Sequence, residues 1–215
     1  MLELRTYTKD EITCILDTTD RQGVKRKLDG YGVEYTIEGW KNYTLTITAI
    51  NDPFRLFCIT TLGIPAQADF DKLKILYYHL FCCPEFAALP YEVMVSKLRE
   101  EGETDPPSNK TIGKWVAYLG KIDFFAFDKE DGIYYAIQKG KDGMRICEEI
   151  SKERYCTGWH IYWEYKTKEG TDAAYYRMFN YVGGHPYRKP KMKENAIYQK
   201  EIEQLIDILN TEYLK

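Results

Sequence analysis

"TTDRQGVKRKLDGYGVEYTIEGWKNYTLTITAI", residues 18–50, decides how the N-terminal part of the chain is read. Four basic side chains, Arg21, Lys25, Arg26 and Lys27, fall within seven positions, and a strand-like alternation follows them. Val24, Leu28 and Tyr31 recur at i, i+4, i+7, which predicts a helix over about residues 19–30, closed by Gly30 or Gly32. At about 100° per residue these three form the inward stripe, while Arg21, Gln22, Lys25 and either Lys27 or Asp29 lie away from it. "VEYTI" and "YTLTITAI" then alternate apolar and polar residues around the turn-like "EGWKN", the pattern of a β-hairpin.

Upstream, Thr8 and Glu11 stand at capping-box spacing and Ile12, Ile15 and Leu16 at i, i+3, i+4, so a short helix is expected over about residues 8–16. The "DTTD" segment between the two helices carries turn and N-cap residues. Helix, tight turn, basic helix and hairpin is the order of a winged helix-turn-helix, and residues 5–50 resemble that family, more loosely its small excisionase and MerR-type variants. The resemblance implies that the second helix enters the major groove and that the hairpin wing follows the backbone. Carried over position by position, it gives Arg21 and Gln22 base-reading roles, since Arg pairs with guanine and Gln with adenine. Lys25 and Arg26, and Lys41 and Asn42 at the wing tip, become phosphate contacts. The same basic face can equally be solvated surface, and helix-turn-helix units also bind protein.

The 215-residue chain has room for one large domain or two to three small ones, and 44% apolar with 29% charged residues is a globular composition. A formal net charge of −3 leaves nucleic-acid binding to local patches. The "MLELRTYTKDEI" start carries charges throughout and no stretch is apolar enough to span a bilayer, so a cytoplasmic protein without membrane contact is expected. Six cysteines without a C-x-x-C pair, and His79, His160 and His185 as the histidines, offer no close-spaced ligand pairs for a metal; the thiols are expected to be free.

Further along, residues 51–68 read as a packed connector. "DFDKLKILYYHLF" predicts a helix over about 69–81 and "YEVMVSKLREEG" another. Ser108 is a candidate N-cap for a third, with Ile112, Trp115 or Val116 and Leu119 inward and Lys110 and Lys114 outside as further candidate DNA contacts. "DFFAF" and "IYYAIQ" are expected as strands joined by a turn at Asp131-Gly132. Three helices and a hairpin make a second winged-helix order over 69–140. Its wing tip is acidic (Asp128, Glu130, Asp131), which suits a protein partner or a dimer contact better than phosphate.

Residues 141–215 read as a helical C-terminal region: an aromatic helix over about 147–168 with Tyr155, Trp159, Tyr162 and Trp163, a shorter helix ended by Gly183 and Gly184, and a final helix with Ile202, Leu205, Ile206 and Leu209 inward. Such helices pack on a neighbouring domain or form a homodimer interface. Between the last two, residues 186–193 form an expected extended basic loop with Arg188, Lys189, Lys191 and Lys193, a candidate phosphate-backbone arm.

No nucleotide-binding, hydrolase or zinc-protease motif occurs, and no spacing supports a Cys–His nucleophile. The expectation is therefore a mostly helical α+β protein with two winged-helix units that binds double-stranded DNA to regulate transcription or a phage or other mobile element. It is expected to be no enzyme and to need no cofactor. A protein-binding module, such as a phage-type inhibitor of a host nucleic-acid-handling complex, is the alternative.

Overall fold

A computed structural model describes residues 2–122, 126–193 and 199–213, with side chains over 2–122, 132–189 and 199–211. In chain order the elements begin with β1 (Thr6–Thr8), α1 (Lys9–Ile15), α2 (Arg21–Tyr31), β2 (Val33–Glu38), β3 (Thr44–Ile50) and α3 (Pro53–Thr60). Then come α4 (Phe70–Cys82), α5 (Pro84–Ala88), α6 (Tyr91–Glu100), α7 (Asn109–Leu119), β4 (Ala126–Lys139) and β5 (Arg145–Ile150). The last are α8 (Lys152–Glu169), α9 (Thr171–Val182), β6 (His185–Lys193) and α10 (Gln199–Tyr213). The fold is α+β, with two three-stranded antiparallel sheets ordered β1-β3-β2 and β5-β4-β6. The chain divides into one unit of Met1–Tyr78, Tyr118–Ile122 and Ile197–Lys215 and another of His79–Ala117 and Asp123–Ala196. Thus α10 groups with the N-terminal residues and not with the remainder of 141–215.

In the first unit, α1 opens with a reciprocal capping box. The Glu11 N–H donates to Thr8 Oγ1 at 3.3 Å and the Thr8 N–H donates to Glu11 Oε2 at 2.7 Å, satisfying two donors that a helix start otherwise leaves open. Asp20 caps α2 by accepting the Gly23 N–H at 2.7 Å, and Gly32 closes that helix in the left-handed region at φ +72°. The hairpin pairs Val33 with Ile50 through Glu38 with Thr44, and β1 adds to its far side with Thr6 opposite Thr46. Ile12, Leu16, Val24 and Leu28 from the helices meet Tyr7, Val33, Leu45 and Ile47 from the sheet in one apolar cluster. Burial at each such position is worth about 1.5–3 kcal/mol, so the helical stripe and the strand alternation hold one another in place.

Residues 51–68 contain more structure than a connector. Asp52 accepts the Arg55 N–H at 2.8 Å and Pro53 occupies the first turn, which starts α3. The final helix, α10, packs on α3 and buries Ile202, Leu205 and Leu209.

In the second unit the helices α6 and α7 form where their periodicity predicts, and Ser108 Oγ accepts the Thr111 N–H at 3.2 Å at the start of α7. Three sequence expectations are corrected. First, 126–139 is a single strand, β4, and the chain reverses at 140–143, where the Gly140 N–H donates to Met144 O at 2.7 Å. Asp131-Gly132 is no turn. Gly132 stands opposite Pro190 next to a register shift, and a Cβ there would come within 3.0 Å of Lys189 O, so glycine permits the two backbones to approach.

Second, the helix expected from 147 begins only at Lys152. Ser151 caps it by accepting the Arg154 N–H at 3.1 Å, and 145–150 form β5, paired with β4 from Lys139–Arg145 to Tyr134–Ile150. Third, the basic loop at 186–193 belongs to β6, an edge strand beside β4. Pro186 and Pro190 lack an N–H to donate, and an edge position is where a sheet tolerates them.

The aromatic residues of α8 pack on this sheet. Tyr155, Trp159 and Tyr162 lie against Tyr134, Ala136, Ile150, Met178 and Val182. Between α8 and α9, Gly158 faces Val182 so closely that a Cβ there would collide with Val182 Cγ2, a stiff β-branched side chain that is itself fully buried. Gly158→Ala is therefore expected to lower stability by about 1–3 kcal/mol, read as a lower urea midpoint, although alanine is the better helix former by about 1 kcal/mol. An unchanged or higher midpoint would mean that the helices separate without cost.

Candidate nucleic-acid interface

The four basic residues of 21–27 have different fates. Lys27 is half-buried, and its ammonium donates to the carbonyls of Leu16 and of Asp17, the latter at 3.1 Å. It thereby closes the C-terminal end of α1, where free carbonyls and the helix dipole favour a cation. Arg21 is also half-buried. Its guanidinium lies over the rings of Trp40 and Tyr43, 5.3 and 5.7 Å from their centroids. Lys25 and Arg26 remain exposed, as does Gln22, and among the described residues no ion pair involves either cation.

Arg99, Lys110, Lys114, Lys141 and Lys152 are likewise exposed without an ion pair among the described residues, whereas other cations are neutralised. Arg5 pairs with Glu11 at 3.4 Å, Lys97 with Glu100 at 2.6 Å, Lys168 with Glu164 at 2.9 Å and Arg177 with Glu169 at 2.8 Å. The exposed turn 39–42 that joins β2 to β3 carries Lys41 and Asn42, both exposed, and Trp40, which retains 80% of its accessible surface. Tyr43 behind it is buried, and burial raises the pKa of its phenol.

Two further contacts hold α2 at its C-terminal end. Tyr35 Oη donates to Asp29 Oδ1 at 2.8 Å; burial first, and then this bonded carboxylate, push the phenol up to about 12. Arg55 donates from Nε to Gly30 O at 2.9 Å and from Nη2 to Ala66 O at 2.8 Å.

In the second unit Lys110 and Lys114 are exposed one turn apart on α7 and form no ion pair among the described residues. The basic strand is another matter. Lys189 is 5% exposed, and its ammonium donates to the carbonyls of Ala87 and of Leu89, the latter at 2.6 Å, so it is not available to a phosphate. Burial pulls its pKa down to about 7. Arg188 is half-buried. The side chains of Lys191 and Lys193, and of Asp128, Glu130 and Asp131, lie outside the described residues.

The residue missed in the sequence is Trp40. Its signal was a large aromatic ring inside a polar turn, where packing does not require one. A second missed arrangement is Cys83 Sγ 3.9 Å from His79 Nδ1, with His79 Nε2 3.1 Å from Glu101 Oε2; the i, i+4 spacing of His79 and Cys83 brings the first two together. The sulfur contact is long, and the His79 ring also lies 5.1 Å from that of Phe86. No cluster of three or more His, Cys, Asp or Glu suited to a metal occurs among the described residues, and among them no helix is long and apolar enough to cross a membrane.

Comparison with protein-family models, with curated proteins and with solved structures found no match.

Two outcomes follow from this geometry. Lys27→Met should lower stability by about 1–3 kcal/mol, because two carbonyls at the end of α1 lose a charged donor; a urea midpoint equal to that of the unaltered protein would remove Lys27 from the turn. Lys189, with a folded pKa near 7 against an ordinary value near 10.4, lets the unfolded chain bind more protons between the two. Stability should therefore rise from pH 7 to 9, and Lys189→Met should flatten that rise. Equal slopes for the two proteins in urea unfolding across this window would show that the buried amine keeps its ordinary pKa.

Proposed function

We propose that the first unit is a winged helix-turn-helix module that binds double-stranded DNA, with α2 as the helix presented to the major groove and the β2–β3 turn as the wing. The observation that carries this reading is the outer face of α2, where Lys25 and Arg26 stand side by side, exposed and without an ion pair among the described residues, one turn beyond the exposed Gln22. Unpaired surface cations in a chain of net charge −3 are a local positive field, and phosphates are the partner that such a field selects. Helix, turn, helix and a hairpin completed by β1 are the supporting framework.

Roles within this proposal differ from those that the resemblance alone implied. Gln22 is exposed at the start of α2 and remains the candidate for reading a base edge. Lys25, Arg26, Lys41 and Asn42 are candidates for phosphate, with Lys110 and Lys114 a separate candidate pair on the second unit. Arg21 acts by joining α2 to the wing through Trp40 and Tyr43. The role proposed for the whole chain is regulatory, in transcription or in the control of a phage or other mobile element, without catalysis.

One observation favours a protein-binding reading for the second unit. Trp163, Tyr176 and Tyr181 on α8 and α9 retain 60, 67 and 45% of their accessible surface, and aromatic side chains of this kind anchor protein interfaces. Salt separates the two modes, since phosphate contacts weaken log-linearly with salt and an apolar interface does not.

The test is fluorescence anisotropy on a random-sequence duplex between about 50 and 200 mM salt. The protein should bind with a steep salt dependence. Lys25→Glu with Arg26→Glu should cut affinity at least tenfold and reduce the salt slope by about one for each phosphate no longer neutralised, with the urea midpoint unchanged because both side chains are solvated. Equal affinity for the double variant would remove α2 from the interface.

A further inference from the structure

Burial does not account for the position of Trp40. It stands in the turn between β2 and β3 with four-fifths of its surface exposed, although its strand neighbours Ile37 and Leu45 turn into the cluster under the sheet. Exposing an indole forfeits the transfer free energy that burial would supply, so the fold gains little from this ring. Its surroundings are nonetheless built. The Arg21 guanidinium lies over the indole at 5.3 Å and over the buried Tyr43 ring at 5.7 Å, tying the turn to the first residue of α2. Neither Arg21 Nε nor Tyr43 Oη, both buried, has a hydrogen-bond partner among the described residues, so ring contact is what holds the guanidinium there. Gly39, at φ +89°, brings the turn back so tightly that a Cβ would sit 3.3 Å from Asn42 O. Lys41 and Asn42 follow directly and are exposed.

An indole backed on one side by a cation and open on the other is a platform for a flat, electron-rich partner next to negative charge. A nucleobase joined to its phosphates has that chemistry. In an intact duplex the bases cover one another's faces and offer only edges to the grooves, which an indole face cannot read. Base faces become available where a nucleotide is unpaired. Two acids lie near in sequence: the Asp20 carboxylate accepts the Gly23 N–H at 2.7 Å, and Glu38 is exposed at the end of β2, where its charge reduces the local positive field.

We infer that Trp40 is a base-stacking site, so that the first unit prefers DNA carrying an unpaired nucleotide over the same DNA fully paired. This rests on the DNA-binding reading above, and adds to it the kind of DNA structure that the wing selects.

The experiment compares the unaltered protein with Trp40→Ala and Trp40→Phe on three oligonucleotides of one sequence: a perfect duplex, the duplex with one bulged 2-aminopurine, and the single strand. Affinity is read by anisotropy at about 50 mM salt and stacking by 2-aminopurine fluorescence, with urea unfolding as the check on folding. The unaltered protein should bind the bulged duplex more tightly than the perfect one and quench the 2-aminopurine. Trp40→Ala should lose about tenfold more on the bulged duplex than on the perfect one, the order of one base–aromatic stack, and lose the quenching. Trp40→Phe should retain part of both signals. Equal binding of all three proteins to the bulged duplex overturns the inference and leaves duplex binding standing. An equal loss by Trp40→Ala on perfect and bulged duplex also overturns it, since the ring would then serve only to shape the wing. Failure of the unaltered protein to bind any of the three overturns both the inference and the DNA-binding reading.

Discussion

The presentation of α2 depends on the Lys27 ammonium and the two carbonyls that it reaches at the end of α1. An eleven-residue helix is marginal by itself, so its place is fixed from outside. Val24 and Leu28 set which face turns inward, but an apolar stripe alone leaves a helix free to slide and tilt on its neighbours. The polar ties remove that freedom. Asp20 fixes the first turn, Lys27 fixes the separation from α1, Asp29 is held by Tyr35 and Gly30 O by Arg55. With four ties on one helix, the direction in which Gln22, Lys25 and Arg26 project is decided by the fold.

The sequence made the first unit legible because its signals are local. The capping box of Thr8 and Glu11, the i, i+4 stripe of Val24 and Leu28 and the alternation of β2 and β3 each lie within a few residues, and each marks a real element. The second unit was harder because its elements are chosen by pairing between distant residues. Arg145–Ile150 carries enough apolar residues to continue the helical pattern of α8, yet it pairs with β4, and a strand partner outweighs propensity. His185–Lys193 reads as a loop from its two prolines, and only its edge position beside β4 makes it a strand. Two Asp-Gly pairs lie in this region, at 131–132 and 142–143, and nothing local says that the second makes the reversal.

Site residues were legible as a group and not as individuals. Charge clustering identified 21–27, but a charge count cannot separate a lysine that caps a helix from one that faces water. Lys27 and Lys189 illustrate the problem. Both are basic residues in basic stretches, and both spend their charge on backbone carbonyls. A lysine stem is long enough to reach carbonyls many residues away, so its role depends on tertiary distances that spacing does not encode. Trp40 failed in the opposite direction, because an aromatic in a turn is usually buried by something and here is not.

Charge pairing distinguishes cations that charge density alone would count alike. Where a cation has a carboxylate beside it, as Arg177 has Glu169 in a two-bond contact, an incoming phosphate must first displace an intact pair. Lys25 and Arg26 impose no such cost, since their ammonium and guanidinium groups compete only with water. The same reasoning separates Arg21 from them. Its cation is already engaged with two rings, which lets it place the indole of Trp40 while still contributing positive potential near the wing. Placement by Arg21 and attraction by Lys25 and Arg26 are thus different tasks within the first two turns of one helix, and it is the division between them that makes an exposed tryptophan at this position intelligible.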